Sequence, residues 1–174
     1  MFGERAPVQR CVRHKERNVL DHLPERDRPA VKRRPRRAWA DTDHDRALDA
    51  LRVLASELDR SHPGAAASLR EGMEETLTLT RLGISGNLRK TLESTNPCES
   101  MIECVRRSAR NVKRWQSGDM CLRWTAAGML EAERQFRRII GYAALAKLIV
   151  AIENEIAQAT TPTPTEEAAT LATA

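Results

Sequence analysis

Between residues 47 and 58 the apolar side chains Ala47, Leu48, Leu51, Leu54, Ala55 and Leu58 recur three and four apart. This spacing puts all six on one stripe of an α-helix and conflicts with the two-residue alternation of a half-buried strand. Apolar residues make up 41% of the chain but aromatics only 3%. A core must therefore be filled by Leu, Ala, Ile and Val, which suits packed helices better than aromatic-rich strands. At 174 residues the chain is long enough for one domain of ordinary size with loose ends, and too short for two large ones.

Turn residues punctuate the rest. Val8, Val12, Val19 and Leu20 lie among charges and read as a short strand entering a helix, and Pro24 and Pro29 frame a charged break. After the His62-Pro63-Gly64 turn a helix is predicted over 65–81, with Leu69, Met73 and Leu77 inward and Gly83 suited to its C-terminal cap. A short segment over 88–92 follows. The next helix carries Ile102, Val105, Ala109 and Val112 on one face and ends at Gly118; another covers 122–138. Gly141-Tyr142 marks a turn before Leu145, Leu148, Ile149 and Ile152, and the Thr, Pro and Ala beyond Ala157 read as a flexible tail.

The formal charge is +5, from 29 Lys and Arg against 24 Asp and Glu, and only five of the basic residues are lysines. Arginine's planar fork grips a phosphate with two donors, so an arginine bias points towards nucleic acid. Two clusters stand out. Lys32-Arg33-Arg34-Pro35-Arg36-Arg37 is either a phosphate contact or a solvated loop. Arg106, Arg107, Arg110, Lys113 and Arg114 project from the helix whose other face is apolar, so that one side packs while the other meets phosphate. Trp115, Trp124 and Tyr142 could stack on unpaired bases or pack at a domain edge.

Cys11, Cys98, Cys104 and Cys121 fit no zinc-ribbon spacing, and neither a signal peptide nor a membrane-length apolar run is present. Reduced structural thiols in a cytoplasmic, nucleoid-associated protein are expected. Asp41, Asp43 and Asp45 alternate ahead of a helix, where the helix dipole already accounts for them; they lack the glycine and terminal Glu of a calcium loop.

Asn96-Pro97-Cys98-Glu99 admits two readings. Asn96 can cap a helix with Pro97 at its first position, placing Glu99 third, where a capping-box carboxylate belongs. Alternatively Glu99, one turn before Glu103 and two before Arg106, is a metal-binding acid beside a phosphate-binding face.

Ordered blocks of sequence carry a resemblance. They are Gln9-Arg10-Cys11-Val12-Arg13-His14-Lys15-Glu16-Arg17-Asn18-Val19-Leu20, then His62-Pro63-Gly64-Ala65-Ala66-Ala67-Ser68-Leu69-Arg70-Glu71-Gly72, then Thr91-Leu92-Glu93-Ser94-Thr95-Asn96-Pro97-Cys98-Glu99. Arg106-Arg107-Ser108-Ala109-Arg110-Asn111-Val112-Lys113-Arg114-Trp115 and Leu130-Glu131-Ala132-Glu133-Arg134-Gln135-Phe136-Arg137-Arg138 complete them. From about Phe2 to Ile152 the chain resembles the mutator-type transposases of bacterial insertion sequences.

The resemblance implies a mainly α-helical chain that is the C-terminal remnant of an RNase H-like α/β catalytic core with its helical insertion. Residues 1–22 would belong to that core, 23–92 to the insertion, 93–156 to the C-terminal helical part of the core, and 157–174 to the tail. It makes Cys11 and His14 the family's cysteine-histidine signature, serving orientation of the core or, less simply, zinc ligation. Glu99 becomes the last acid of a DDE site holding magnesium or manganese, although Pro97-Cys98 replaces the Ala-Ile common before that acid. The other two carboxylates would stand upstream of Met1, so a truncated gene product is expected, with its status as an enzyme open. Implied partners are DNA, as terminal repeats for the complete enzyme, and a homo-oligomer or an intact transposase that the fragment would inhibit.

Overall fold

A computed structural model describes residues 6–160. Four helices form the main body: α1 (Val12–Asp21), α2 (Arg28–Ala40), α3 (His44–Ser61) and α4 (Pro63–Arg70). The stripe read from the sequence is the inner face of α3, where Ala47, Leu51 and Ala55 have no exposed surface and Leu54 almost none. Ala65 and Ala66 of α4 are equally sealed, and these small residues let α3 and α4 approach closely. Val19, Leu23, Ala38, Trp39, Leu69, Met73 and Leu77 complete the core. Each fully buried Leu contributes about 1.5–3 kcal/mol relative to exposure.

Helix ends follow local chemistry. Asp43 caps α3 by accepting from the Arg46 backbone N–H at 2.9 Å, and Pro63 occupies the first turn of α4. Asp41 pairs with Arg46 at 2.5 Å; hydrogen bonding to that guanidinium, then to the Asp43 N–H, holds its carboxyl well below the usual carboxylate range. Buried cations terminate helices in turn. Lys15, 3% exposed, donates to the Ser68 carbonyl and the Glu71 carboxylate, both at 2.8 Å, and to the Glu71 carbonyl at the end of α4. Arg89 donates to the Asp41 carbonyl at 2.8 Å and to that of Trp39 at the end of α2. Both place positive charge where unpaired carbonyls and the helix dipole favour it.

The helix predicted over 65–81 is broken. Gly72 turns at φ +59°, a 3-10 turn spans Glu74–Leu77, and α5 (Thr78–Arg81) follows. The extended N-terminal segment lies against this break: Thr78 Oγ1 donates to Val8 O at 2.6 Å, the Leu79 N–H to Gln9 Oε1 at 2.9 Å, and the Arg10 N–H to Glu75 O at 2.9 Å. That packing also explains why the expected strand before α1 is missing. The Arg10 and Val12 N–H groups are taken singly by the carbonyls of Glu75 and Glu93, so no ladder forms.

After Gly83, whose φ of +68° gives the expected cap, α6 (Gly86–Leu92) leads into α7 (Asn96–Ser108). Helix α7 stops earlier than expected, and Gly118 begins α8 (Gly118–Glu133) instead of ending α7. Ser117 caps α8 by accepting from the Met120 N–H at 3.1 Å. Helix α9 (Leu145–Thr160) enters through a 3-10 turn, Tyr142–Ala144, and continues past 157; the remainder of the expected tail lies outside the described residues. Leu145 and Leu148 pack on a second cluster of Leu79, Ile84 and Leu88. Gly141, at φ +87°, backs onto α6 so closely that a Cβ would stand 2.8 Å from Leu88 Cα. Helices α7 and α8 pair where Gly128 meets the Val105 backbone.

The described residues contain helices and turns and no β-strand. This corrects the RNase H-like α/β core implied by the resemblance: the described residues of 1–22, and all of 93–156, assigned to that core, are helical wherever they are regular. No described helix is long and apolar enough to cross a membrane.

Candidate functional site

The first turns of α1 and α7 meet, bringing together side chains 80 and more residues apart in sequence. Cys11 is the residue before α1, His14 lies in its first turn, and Glu99 lies in the first turn of α7. Thr95 stands between them. Its hydroxyl lies 2.6 Å from Glu99 Oε1, 3.6 Å from Cys11 Sγ and 3.3 Å from His14 Nδ1, while His14 Nε2 is 3.4 Å from the same Glu99 oxygen. A thiol, a hydroxyl, an imidazole and a carboxylate thus form one half-exposed cluster.

This geometry revises the cap expected at Asn96. Helix α7 begins at Asn96, with Thr95 as its capping residue and Pro97 second, so Glu99 falls one place beyond a capping-box position. Its recorded acceptor role is to the Thr95 hydroxyl, not to a free backbone N–H. Pro97 leaves the helix start undisturbed because no intrahelical donor is needed there.

Burial pushes the Cys11 thiol up. The backbone N–H groups of His14 and Thr95, then the Thr95 hydroxyl and the His14 ring, outweigh it and bring the thiol down to about 7. Donors at a helix start favour the thiolate in this way. All four cysteines are free; Cys98 and Cys121 are exposed and Cys104 is buried.

The donor set does not fit the metal implied by the resemblance. No three His, Cys, Asp or Glu side chains among the described residues converge to hold an ion. Glu99 brings a single carboxylate, and one is too few for a magnesium or manganese pair. No metal-dependent step is assigned to these residues, and zinc at Cys11 and His14 lacks its further ligands for the same reason.

The two basic clusters differ sharply. Lys32-Arg33-Arg34-Pro35-Arg36-Arg37 is part of α2, not a loop. Arg34 forms a two-pronged pair with Glu57, and Arg36 with Glu16, each with one contact at 2.8 Å. Arg33 and Arg37 are exposed and form no ion pair with the described residues. Arg106 and Arg107 occupy the last turn of α7, whereas Arg110, Lys113 and Arg114 lie on the loop that precedes α8. All five are exposed and none is paired with a described carboxylate. Arg106 and Arg107 share an open depression with Glu99 and Glu103. Trp115, Trp124 and Tyr142 are exposed, and Arg138 lies 5.2 Å from the Tyr142 ring centre.

Thr95 carried no assignment from sequence. Its signal was its place four residues before Glu99 in the Glu-Ser-Thr-Asn-Pro-Cys-Glu string, but its central position depends on α1 arriving from elsewhere.

Residues 2–138 match the family described as Transposase, Mutator family. The chain is also similar to the transposase for insertion sequence element ISRM5 of Rhizobium meliloti (strain 1021), 30% identical over 131 residues. That alignment covers 75% of this chain and 32% of the relative, so the chain spans about a third of that protein's length. No solved structure matches it.

Proposed function

The chain belongs to the Mutator family of transposases, and on that premise we propose that it acts in DNA transposition as a DNA-contacting segment carrying the last acid of a DDE-type site. Glu99 is that acid, and Cys11 and His14 position it through Thr95. The carrying observation is the convergence of these three family-matched residues on one hydroxyl across more than 80 residues of chain. A residue needed only as a cap would not require partners from α1.

DNA contact falls to Arg106, Arg107, Arg110, Lys113 and Arg114. They are exposed, unpaired within the described residues, and begin two turns beyond Glu99 on the same helix. Phosphate contacts of this kind position a duplex without reading its sequence. With one carboxylate in the cluster, the chain alone binds duplex DNA and neither cuts nor joins it.

Anisotropy titration with labelled duplex across a salt series tests the binding. Replacing Arg106, Arg110 and Lys113 by Gln lowers the slope of log K against log salt by about 2 to 3, at roughly 0.9 per phosphate contact. An unchanged slope refutes the assignment. Cleavage of terminal-repeat DNA by the isolated chain, abolished by Glu99→Gln, would refute the claim that it is inactive alone.

A second reading is association with an intact transposase. Of the large apolar residues left exposed among the described residues, all but Val8 and Val53 lie at or beyond Ile102, with Leu122, Leu130, Phe136 and Ile140 each more than 60% exposed. Co-elution with the full-length family enzyme in the absence of DNA supports this reading; separate elution at micromolar concentration removes it.

A further inference from the structure

A groove of about 1070 Å³ lies away from the Glu99 cluster, between α1, α2 and α6. Two helices present regularly spaced cations to it. Arg13 and Arg17, four apart, come from α1; Arg28, Lys32 and Arg36, also four apart, come from α2; Lys90 comes from α6. Residues four apart share one face of a helix, so the two rows face each other across the groove.

Acidic side chains also line it, and their placement matters. Glu16 is held by Arg36 with Lys32 at 3.8 Å, and Glu93 lies 3.7 Å from Arg89. Asp21 and Glu25 stand at the end where the connection from α1 to α2 runs, beside Arg28. Arg13, Arg17 and Lys90 are towards the other end and have no ion-pair partner among the described residues. The groove is therefore polarised, with its unpaired positive end continuing along α1 from His14 of the cluster.

Its chemistry also says what it does not read. Trp39 is the one aromatic residue in the lining, and it is 5% exposed with its indole N–H donated to Thr76 Oγ1 at 2.9 Å. Stacking of unpaired bases, on which single-strand grooves depend, has no platform here.

We propose that this groove is a second DNA contact, in which Arg13, Arg17 and Lys90 seat one phosphodiester strand of a duplex without sequence preference. It rests on the reading of the chain as a DNA-contacting segment, but it uses Arg13, Arg17 and Lys90, which belong neither to the Cys11, His14 and Glu99 cluster nor to the cations at 106–114. Two separated contacts would fix the direction of a duplex relative to Glu99, which one cluster cannot do.

The test is duplex binding by the full chain across a salt series, using a labelled duplex of arbitrary sequence. Arg13→Gln with Arg17→Gln lowers the log–log slope by about 2, whereas the charge-matched control Arg26→Gln with Arg60→Gln leaves it unchanged. Equal slopes for both pairs overturn the proposal. So does tighter binding of the groove to single-stranded DNA of the same length. Independently of any variant, acetylation of Lys90 in the wild-type chain slows when duplex is added; an unchanged rate overturns the proposal even if a variant misfolds. Failure is attributable: if neutralising 106–113 weakens binding and the groove pair does not, the groove alone is excluded, whereas a wild-type chain without duplex affinity removes both readings.

Discussion

In the body formed by α1 to α4, cations meet carboxylates: Arg34 with Glu57, Arg36 with Glu16, Arg46 with Asp41, Arg70 with Asp59, and buried Lys15 with Glu71. From α7 onwards the pattern inverts. Arg106, Arg107, Arg110, Lys113 and Arg114 pair with no described carboxylate, and Leu122, Leu130 and Ile140 face outwards. The first region buries most of its large apolar side chains and ties many of its cations to acids, whereas the second leaves most of its large apolar side chains and these five cations exposed. Charge content alone does not distinguish them, since arginine is common in each. The difference lies in whether a second helix brings acids alongside.

The largest way to break this comparison is to remove core volume. Leu51→Ala, in the sealed face of α3, costs about 2–5 kcal/mol, while Leu130→Ala stays within about 0.5 kcal/mol. Urea unfolding measures both; similar losses would mean that the outer face of α8 is packed in solution.

Next comes the buried cation. Lys15→Met leaves the last carbonyls of α4 without their donor and costs about 1–3 kcal/mol. Arg107→Met, which has no partner to abandon, leaves the unfolding midpoint unchanged. Equal costs would place Arg107 in an intramolecular contact.

A smaller and more local effect is expected where α7 and α8 meet. A Cβ on Gly128 would stand 2.8 Å from Val105 Cα, so Gly128→Ala forces the two helices apart. Hydrogen exchange then speeds in α7 and α8 and stays slow in α3. Loss of protection in both regions would show that they open as one unit.

The least costly change concerns the joint between the regions. Alkylation of Cys11, followed by peptide mass spectrometry, reaches half its limiting rate near pH 7, because the thiol lies at about 7. Below that pH the protonated thiol reacts slowly; above it the thiolate is complete. Thr95→Val removes one donor and moves the midpoint upwards, while the backbone donors remain. An unmoved midpoint would detach Thr95 from the cluster.

The sequence made α3 legible because six of its apolar positions obey one period, and the cap at Gly83 because it needs only local geometry. It gave Cys11, His14 and Glu99 as candidates through ordered family motifs. It misplaced the end of α7, since Gly118 suits a helix end as well as the start observed, and it joined α4 to α5 because nothing nearby announces that residues 8–10 will bind the break between them. The expected α/β core failed for a related reason: residues with strand-like composition before α1 find turn carbonyls in place of a partner strand.

What the sequence determined by itself is helical periodicity, the arginine bias and family membership, all properties of near neighbours or of ordered motifs. Tertiary structure alone decided that Thr95 links Glu99 to α1, that Arg34 and Arg36 are occupied while Arg106 to Arg114 are not, and that cations of α1 and α2 face one groove. Those outcomes depend on which helix faces surround a side chain. Ion pairing and hydrogen bonding act over a few ångströms, and such distances between remote residues exist only after the helices have packed.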